Sequence, residues 1–312
     1  MSMPWIRKGQ IYDPRRHKEW AGTHAQVPTI LLYPDRIRIF YADRNADNKS
    51  FITYLDIDRH NFGNVLYYQK TPILPLGARG TFDDDGMMPG VAIRHEGYVY
   101  LYYTGWNRGV TVPYRNSVGI AVSADDGTTF RRLYEGPVLD RNAQEPHMAV
   151  TPAILKEGKL WRMWYSSGLG WADIDGHLEP VYTIKYATSH DGIAWARPDH
   201  LCIEQSHELE AFSHPSVIKR GDRYLMWYCF RHSRDYRDGA GSYRIGYAES
   251  SDGVAWERMD NACGLDVSPE GWDSTMTCYP SVFAIDDRIV MIYNGNGFGQ
   301  AGFGYAILAE DR

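Results

Sequence analysis

The chain has 312 residues, 44% of them hydrophobic, with 33 Lys and Arg against 39 Asp and Glu for a net charge of −6. A mean hydropathy of −0.45 and the lack of any apolar run near about 18 residues exclude a membrane-spanning helix, and the mild acidity argues against nucleic acid or an anionic membrane as the main partner. Four cysteines without CxxC or zinc-type spacing, and a start (Met1 to Lys8) with no apolar h-region, predict a cytoplasmic protein with free thiols. Aromatic residues make up 14% of the chain, beside 30 Gly and 16 Pro. Strand-forming aromatics with turn-forming Gly and Pro predict an all-β fold.

In chain order, Trp5 to Asp13 reads as a strand whose sequence parallels the later segment Phe130 to Asp140. Five similar units follow. Each opens with a proline at the start of a short apolar strand, at Pro28, Pro89, Pro152, Pro215 and Pro280, spaced 61, 63, 63 and 65 residues apart. These inner strands fall near 27–33, 88–94, 151–156, 214–219 and 279–284. A second strand follows each one (36–41, 98–103, 160–165, 224–228, 289–293), and after a loop comes a third (51–55, 117–121, 183–187, 244–248, 303–307). Units two to four add a turn: Ser123-Ala124-Asp125-Asp126-Gly127, Ser189-His190-Asp191-Gly192 and Ser250-Ser251-Asp252-Gly253, each followed by an aromatic. These turns resemble the Asp-box of sialidases and are read as structural: Ser and Asp bond the turn backbone and Gly takes positive φ.

Four antiparallel strands repeated five times predict a single five-bladed β-propeller over residues 1–312. The last unit lacks an outer strand and the N-terminal strand supplies one, so the termini close the ring together. Loops alternate between faces along a blade. The segments leading into the inner strands therefore share one face with the loops between second and third strands. That face collects Asp83, Asp84, Asp85, Glu145, Glu210 and Asp273 with His24, His147 and His214. It also collects Trp106, Asn107, Arg115, Trp171, Arg231, Trp272 and Asn294. Aromatic faces stack on sugar C–H surfaces, while Asn, Asp and Arg satisfy hydroxyls, so the inventory reads as a carbohydrate site. Asp85, Glu145 and Asp273, with Glu210 in reserve, are the expected acid and base groups, and Asp84 is placed with the substrate-binding residues. Arg outnumbers Lys 25 to 8, and arginine forks favour a carboxylate- or phosphate-bearing sugar.

The five Pro-anchored inner strands, the Met163-Trp164-Tyr165 and Met226-Trp227-Tyr228 second strands and the Ser-x-Asp-Gly-x-x-Trp turns resemble the five-bladed propeller glycosidases of glycoside hydrolase families 43, 32 and 130. The stretches Tyr102 to Asn107, Tyr243 to Ser250 and Gly271 to Ser274 look closest to a bacterial glycosylase-like group of polysaccharide biosynthesis contexts. The resemblance implies hydrolysis or transfer of a glycosidic bond, with no required cofactor and a small carbohydrate or sugar conjugate as substrate. It assigns Asp85 to tuning the acid's pKa and Glu145 to the acid itself. The family's first carboxylate is absent: its position holds His24, so another blade supplies the base or His24 takes a proton-transfer role. Two alternatives stand beside this. His24, His147 and His214 around a channel suit a divalent metal, or the propeller binds sugar without catalysis.

Overall fold

The computed structural model describes residues 4–16, 22–237 and 239–309; expectations that fall on residues 1–3 and 310–312 lie outside the described residues. The first strand, β1 (Trp5–Tyr12), precedes a run of β2 (Gln26–Leu32), β3 (Arg36–Arg44), β4 (Ser50–Asp58) and β5 (Val65–Tyr68). Next come β6 (Gly86–His95), β7 (Tyr98–Arg108), β8 (Tyr114–Ser123) and β9 (Arg131–Arg132), then β10 (Ala149–Glu157), β11 (Leu160–Ile174) and β12 (His177–Ser189). β13 (Glu210–Arg220), β14 (Arg223–His232), β15 (Arg244–Ser250) and β16 (Glu257–Arg258) follow, and β17 (Cys278–Ile285), β18 (Arg288–Asn294) and β19 (Phe303–Leu308) end the chain. Within each run consecutive strands pair antiparallel. β1 pairs with β19, Trp5 opposite Leu308, so the N-terminal strand completes the last sheet.

The runs β2–β5 and β6–β9 are joined by one parallel bridge, Ser50 to Gly86. The third run has three strands where four are expected. Its outer segment keeps only isolated bridges at Leu201 and Ala196, because Pro198 lies between them and has no N–H to donate. The first strands pack in succession, β2 on β6, β6 on β10, β10 on β13, β13 on β17, and β17 returns to β2. Apolar layers fill the space between neighbouring sheets. Phe40 and Leu101 share one layer, Tyr102 and Trp161 the next, then Trp164 with Tyr228, Trp227 with Tyr293, and finally Phe303 with Ile37 and Tyr41.

The repeated prolines mark β-bulges. In each inner strand the register shifts at the proline, between Gln26 and Thr29, Pro89 and Val91, Val150 and Ala153, Ser213 and Ser216, and Cys278 and Ser281. Proline tolerates the bulge because the ladder needs no N–H there. The preceding residue takes positive φ in four of the five: Val27 (58°), Thr151 (46°), His214 (51°) and Tyr279 (52°). Such a backbone is unfavourable for non-glycine residues, by about 1–3 kcal/mol each, so something must hold it.

The holding group is a side chain from the preceding unit. The N–H of Thr151 donates to Thr104 Oγ1 (3.0 Å), that of His214 to Ser166 Oγ (3.2 Å), that of Tyr279 to Cys229 Sγ (2.9 Å) and that of Val27 to Asn294 Oδ1 (2.8 Å). Each acceptor directly follows the tyrosine near the end of its second strand: Tyr103-Thr104, Tyr165-Ser166, Tyr228-Cys229 and Tyr293-Asn294. The first unit has Tyr41-Ala42 instead, with no acceptor, and the unit after it has the one pre-proline residue, Met88, without positive φ.

The Ser-x-Asp turns act as expected. Ser123, Ser189 and Ser250 each accept the glycine N–H, while Asp125, Asp191 and Asp252 accept later N–H groups. The glycine carbonyls accept from Arg38, Tyr102 and Trp164 of the preceding unit.

Candidate functional site

Asp83, Asp84, Asp85, Glu145, Glu210 and Asp273 line neither of the two cavities described below. In four units an acid sits in a clamp, bonded by a second-strand tyrosine and facing an arginine from the outer edge of its own sheet. Tyr103 Oη lies 2.9 Å from Asp83 Oδ2, with Arg132 Nη2 at 2.6 Å. Tyr165 Oη donates to Glu145 at 2.9 Å, Ser167 Oγ adds a bond of 2.7 Å, and Arg197 stands 3.6 Å away. Tyr293 Oη donates to Asp273 at 2.8 Å, and Arg7 of β1 completes that clamp at 3.3 Å. In the fourth unit Tyr228 bonds Asp260, while Arg258 bridges Asp260 and Glu210 at 2.7 and 2.6 Å. Glu145, Asp273 and Glu210 are thus buried at 2%, 2% and 4% exposure, tied into blade edges. Asp84 accepts the Gly80 N–H at 2.7 Å. Asp85 accepts the Arg108 backbone N–H at 2.9 Å and sits 3.7 Å from Lys49 Nζ.

The cavity lies where the bulges converge. It has a volume of about 430 Å³, and the pre-proline residues Val27, Met88, Thr151 and Tyr279 line it. Positive φ at three of these turns the side chain out of the pleat. Around them the ends of second strands and the starts of third strands contribute Arg44, Trp106, Tyr114, Asn116, Tyr182, Arg231 and Tyr243, with Tyr236, Arg237 and Phe298 from loops. Among the described residues no Asp or Glu lines this wall. The face is the expected one, but the inward position is the residue next to the proline, and the acids lie several residues earlier.

The wall is cationic and aromatic. Arg231 is 3% exposed, and its guanidinium lies 3.8 Å over the Tyr236 ring. It donates to Tyr243 Oη (3.1 Å), Ser233 Oγ (2.9 Å) and the Pro180 carbonyl (2.7 Å). Arg44 donates to Gln26 Oε1 (2.8 Å) and Asn48 Oδ1 (3.0 Å). Among the described residues neither guanidinium has a carboxylate within ion-pair distance, and burial pulls Arg44 below the ordinary arginine value. Arg237 pairs with Glu179, 2.9 Å from Nη2 to Oε1, and Tyr236 Oη donates to the same carboxylate at 2.6 Å. Tyr114 and Tyr182 share a hydroxyl bond of 3.2 Å. His24 is on the wall; burial, with Arg44 nearby, lowers it to about 4, so it is neutral at pH 7.

The other sequence-predicted residues divide. Trp106 lines the cavity and donates from Nε1 to Ser50 at 2.7 Å, and Arg231 forms its cationic wall. Asn107 bonds the Thr81 carbonyl, and Arg115 is exposed outside the cavity. Trp171 packs edge-on against Tyr114, and Trp272 packs on Tyr293 at 5.1 Å. Asn294 is fully buried, bonding Val27, Ala25 and Gly302, so it is a latch between last and first units. The proposed histidine metal site does not form. His214 is buried against Tyr279 with Nδ1 unpartnered, and no group of three His, Cys, Asp or Glu among the described residues is placed to hold a metal. Tyr182, Tyr236, Tyr243 and Tyr279 were not expected as site residues from the sequence. The Tyr-x dipeptide closing each second strand, repeated at the spacing of the prolines, is the signal that points to Arg44 and Arg231 just beyond it.

These sheets, with first strands packed in succession and the chain's two ends paired in one sheet, define a glycosidase-like β-propeller protein. The solved structure of a thermostable family-43 glycoside hydrolase aligns at a TM-score of 0.66 and 15% identity, over 91% of this chain and 88% of that one. The catalytic domain of the Coprinopsis cinerea GH62 α-L-arabinofuranosidase gives 0.67 and 11%, over 98% and 96%. A further solved glycoside hydrolase gives 0.74 and 18%, over 98% and 91%. No protein-family model matches the sequence. Two Mycobacterium tuberculosis proteins, uncharacterized protein Rv1502 and uncharacterized protein MT1551, are 37% identical to it over 308 residues, 98% of this chain and 99% of theirs. The chain belongs to their family.

Proposed function

We propose that this protein is a five-bladed propeller, each antiparallel run being one blade, and that its central cavity recognises an anionic sugar: a uronic or nonulosonic acid, or a phosphorylated or nucleotide-linked sugar. The observation that carries this is the wall itself, where the buried Arg231 and the half-buried Arg44 stand among aromatic rings and phenolic hydroxyls with no carboxylate partner among the described residues. A desolvated guanidinium gains most from a bidentate anion, and aromatic edges suit sugar C–H surfaces. The likeness of the fold to glycoside hydrolases supports a carbohydrate ligand. Calorimetric titration with glucuronic acid, galacturonic acid, N-acetylneuraminic acid and glucose 1-phosphate, against glucose and galactose, tests the reading. At least one acidic sugar binds tenfold or more tighter than the neutral ones, and Arg44→Ala removes about tenfold of that affinity, about 1.4 kcal/mol. Equal binding of acidic and neutral sugars, unchanged in Arg44→Ala, overturns it.

Hydrolysis by a pair of cavity carboxylates finds no pair on this wall. A second, enzymatic reading rests on the 2.6 Å bond from Tyr236 to Glu179. Tyrosine nucleophiles serve glycosidases that act on acidic sugars. Here Tyr236 Oη would bond the anomeric carbon as its proton passes to Glu179 and the leaving group departs with the bonding electron pair. Release of the leaving group from an activated acidic sugar, lost in Tyr236→Phe while sugar binding persists, supports this reading. Turnover that survives Tyr236→Phe removes it.

A further inference from the structure

A second cavity, about 450 Å³, adjoins the first and shares Pro113, Tyr236 and Arg237 with it. Both volumes fall in the range of small-molecule sites, roughly 300–1,000 Å³. The outer cavity is made by an extension peculiar to one unit. β11 and β12 run 15 and 13 residues, and their ladder continues from Gly170–Val181 out to Ile174–His177. Asp175 and Gly176, both at positive φ (52° and 85°), turn the tip tightly. The facing wall is the loop after β14, fixed from three directions. Arg231 donates to Ser233, Tyr236 and Arg237 donate to Glu179 of β12, and the Asp235 carboxylate accepts the Gly241 N–H at 3.1 Å.

Resting on the anionic-sugar reading of the central cavity, we infer that this outer cavity is a second sugar subsite, holding the neutral residue joined to the acidic one. Its lining mixes apolar Pro113, Ile174 and Leu178 with Asp175, His177 and Arg234, the combination that meets the C–H faces and hydroxyls of a pyranose. Among the described residues the side chains of His177 and Arg234 have no hydrogen-bond partner that would occupy them. Acidic Asp175 and Asp235 offset the charge of Arg234, so this cavity lacks the net positive wall of the inner one and suits an uncharged ring. The shared Tyr236 and Arg237 form the border that one glycosidic linkage crosses. The ligand is therefore an acidic disaccharide or longer conjugate rather than a free sugar acid.

The test compares glucuronic acid with cellobiouronic acid, and N-acetylneuraminic acid with 3′-sialyllactose, by calorimetry on the full chain. In the pair whose acid fits, the longer ligand binds at least tenfold tighter than the monosaccharide. The exposed double substitution His177→Ala, Arg234→Ala abolishes that gain and leaves monosaccharide affinity unchanged, whereas Arg44→Ala weakens both ligands alike. A longer ligand that binds no tighter than its monosaccharide, or a gain that survives the double substitution, overturns the second subsite while the central reading stands. Failure of every acidic ligand to bind overturns the central reading and the subsite with it.

Discussion

Arg44 and His214 show how burial alone sets two residues to different tasks. Arg44 keeps its charge and lacks a counter-ion among the described residues, so the fold stores an unmet demand for an anion at the cavity wall. His214 meets burial by staying neutral. Its folded value falls from 6.5 to about 3 through desolvation, and its Nδ1 has no partner. The consequence for stability has a definite sign. Below pH 6.5 the unfolded chain binds a proton at this position and the folded chain does not, so stability falls as pH drops from about 6.5 toward 3. At pH 5 the loss from this group is roughly 2 kcal/mol, about 1.4 kcal/mol per pH unit. Thermal unfolding followed from pH 7 to pH 4.5 checks this: the melting temperature declines in the native chain and declines less in His214→Gln. An identical decline in both shows that other groups carry the acid sensitivity.

The clamps and latches act at the scale of the element. A buried carboxylate between a tyrosine hydroxyl and a guanidinium anchors the outer edge of a blade, and removing one partner strands a charge. Arg132→Met, which leaves the buried Asp83 with only the hydroxyls of Tyr103 and Thr81, is expected to destabilise the fold by about 3–5 kcal/mol in urea unfolding. Glu145→Gln lowers thermal stability too, yet leaves anionic-sugar affinity within twofold, because the clamp lies away from the cavity wall. A large loss of affinity in folded Glu145→Gln would return that residue to the site. The latches hold strained backbone at the bulges. Replacing Thr104 by Ala leaves the N–H of Thr151 without its acceptor, at a cost of about 1–3 kcal/mol, whereas Ser166→Ala costs less because the N–H of His214 keeps Thr151 Oγ1 at 3.2 Å. The same substitutions loosen the cavity floor, since Thr151 lines it.

At the scale of the molecule, closure depends on contacts between the two ends of the chain. β1 contributes Trp5, Ile11 and Tyr12 to the layers on either side of the last sheet, and Arg7 to the clamp on Asp273. Asn294 fastens that sheet to the first unit through Val27 and Ala25. Trp5→Ala is expected to cost about 3–5 kcal/mol. Removal of residues 1–13 should abolish cooperative unfolding in a denaturant titration. A shortened chain that unfolds in one sharp transition would show that the ring closes without β1.

The architecture was legible because it repeats. Prolines at near-even spacing, Ser-x-Asp turns and a spare strand at the N-terminus were enough to place nearly every strand and to pair the ends, since local turn chemistry and period-2 patterning act over a few residues. Only the outer strand of the third run failed, where Pro198 interrupts the ladder. Trp106 and Arg231, both named from the sequence, line the cavity. What the sequence left open was direction. Asp85, Glu145, Glu210 and Asp273 look like a ring of acids when counted back from the prolines, but each is drawn aside by a backbone or side-chain partner brought from another segment. The three histidines come together in no metal-binding group among the described residues. A bulge at each proline decides which side chain turns inward, and whether that bulge takes positive φ depends on one acceptor in the neighbouring unit, present at Thr104 and missing at Ala42. The sequence by itself determined the fold, through short-range signals repeated five times. The tertiary structure decided that the cavity is lined by arginine and tyrosine rather than carboxylate, because burial and long-range pairing choose which groups remain free to meet a ligand.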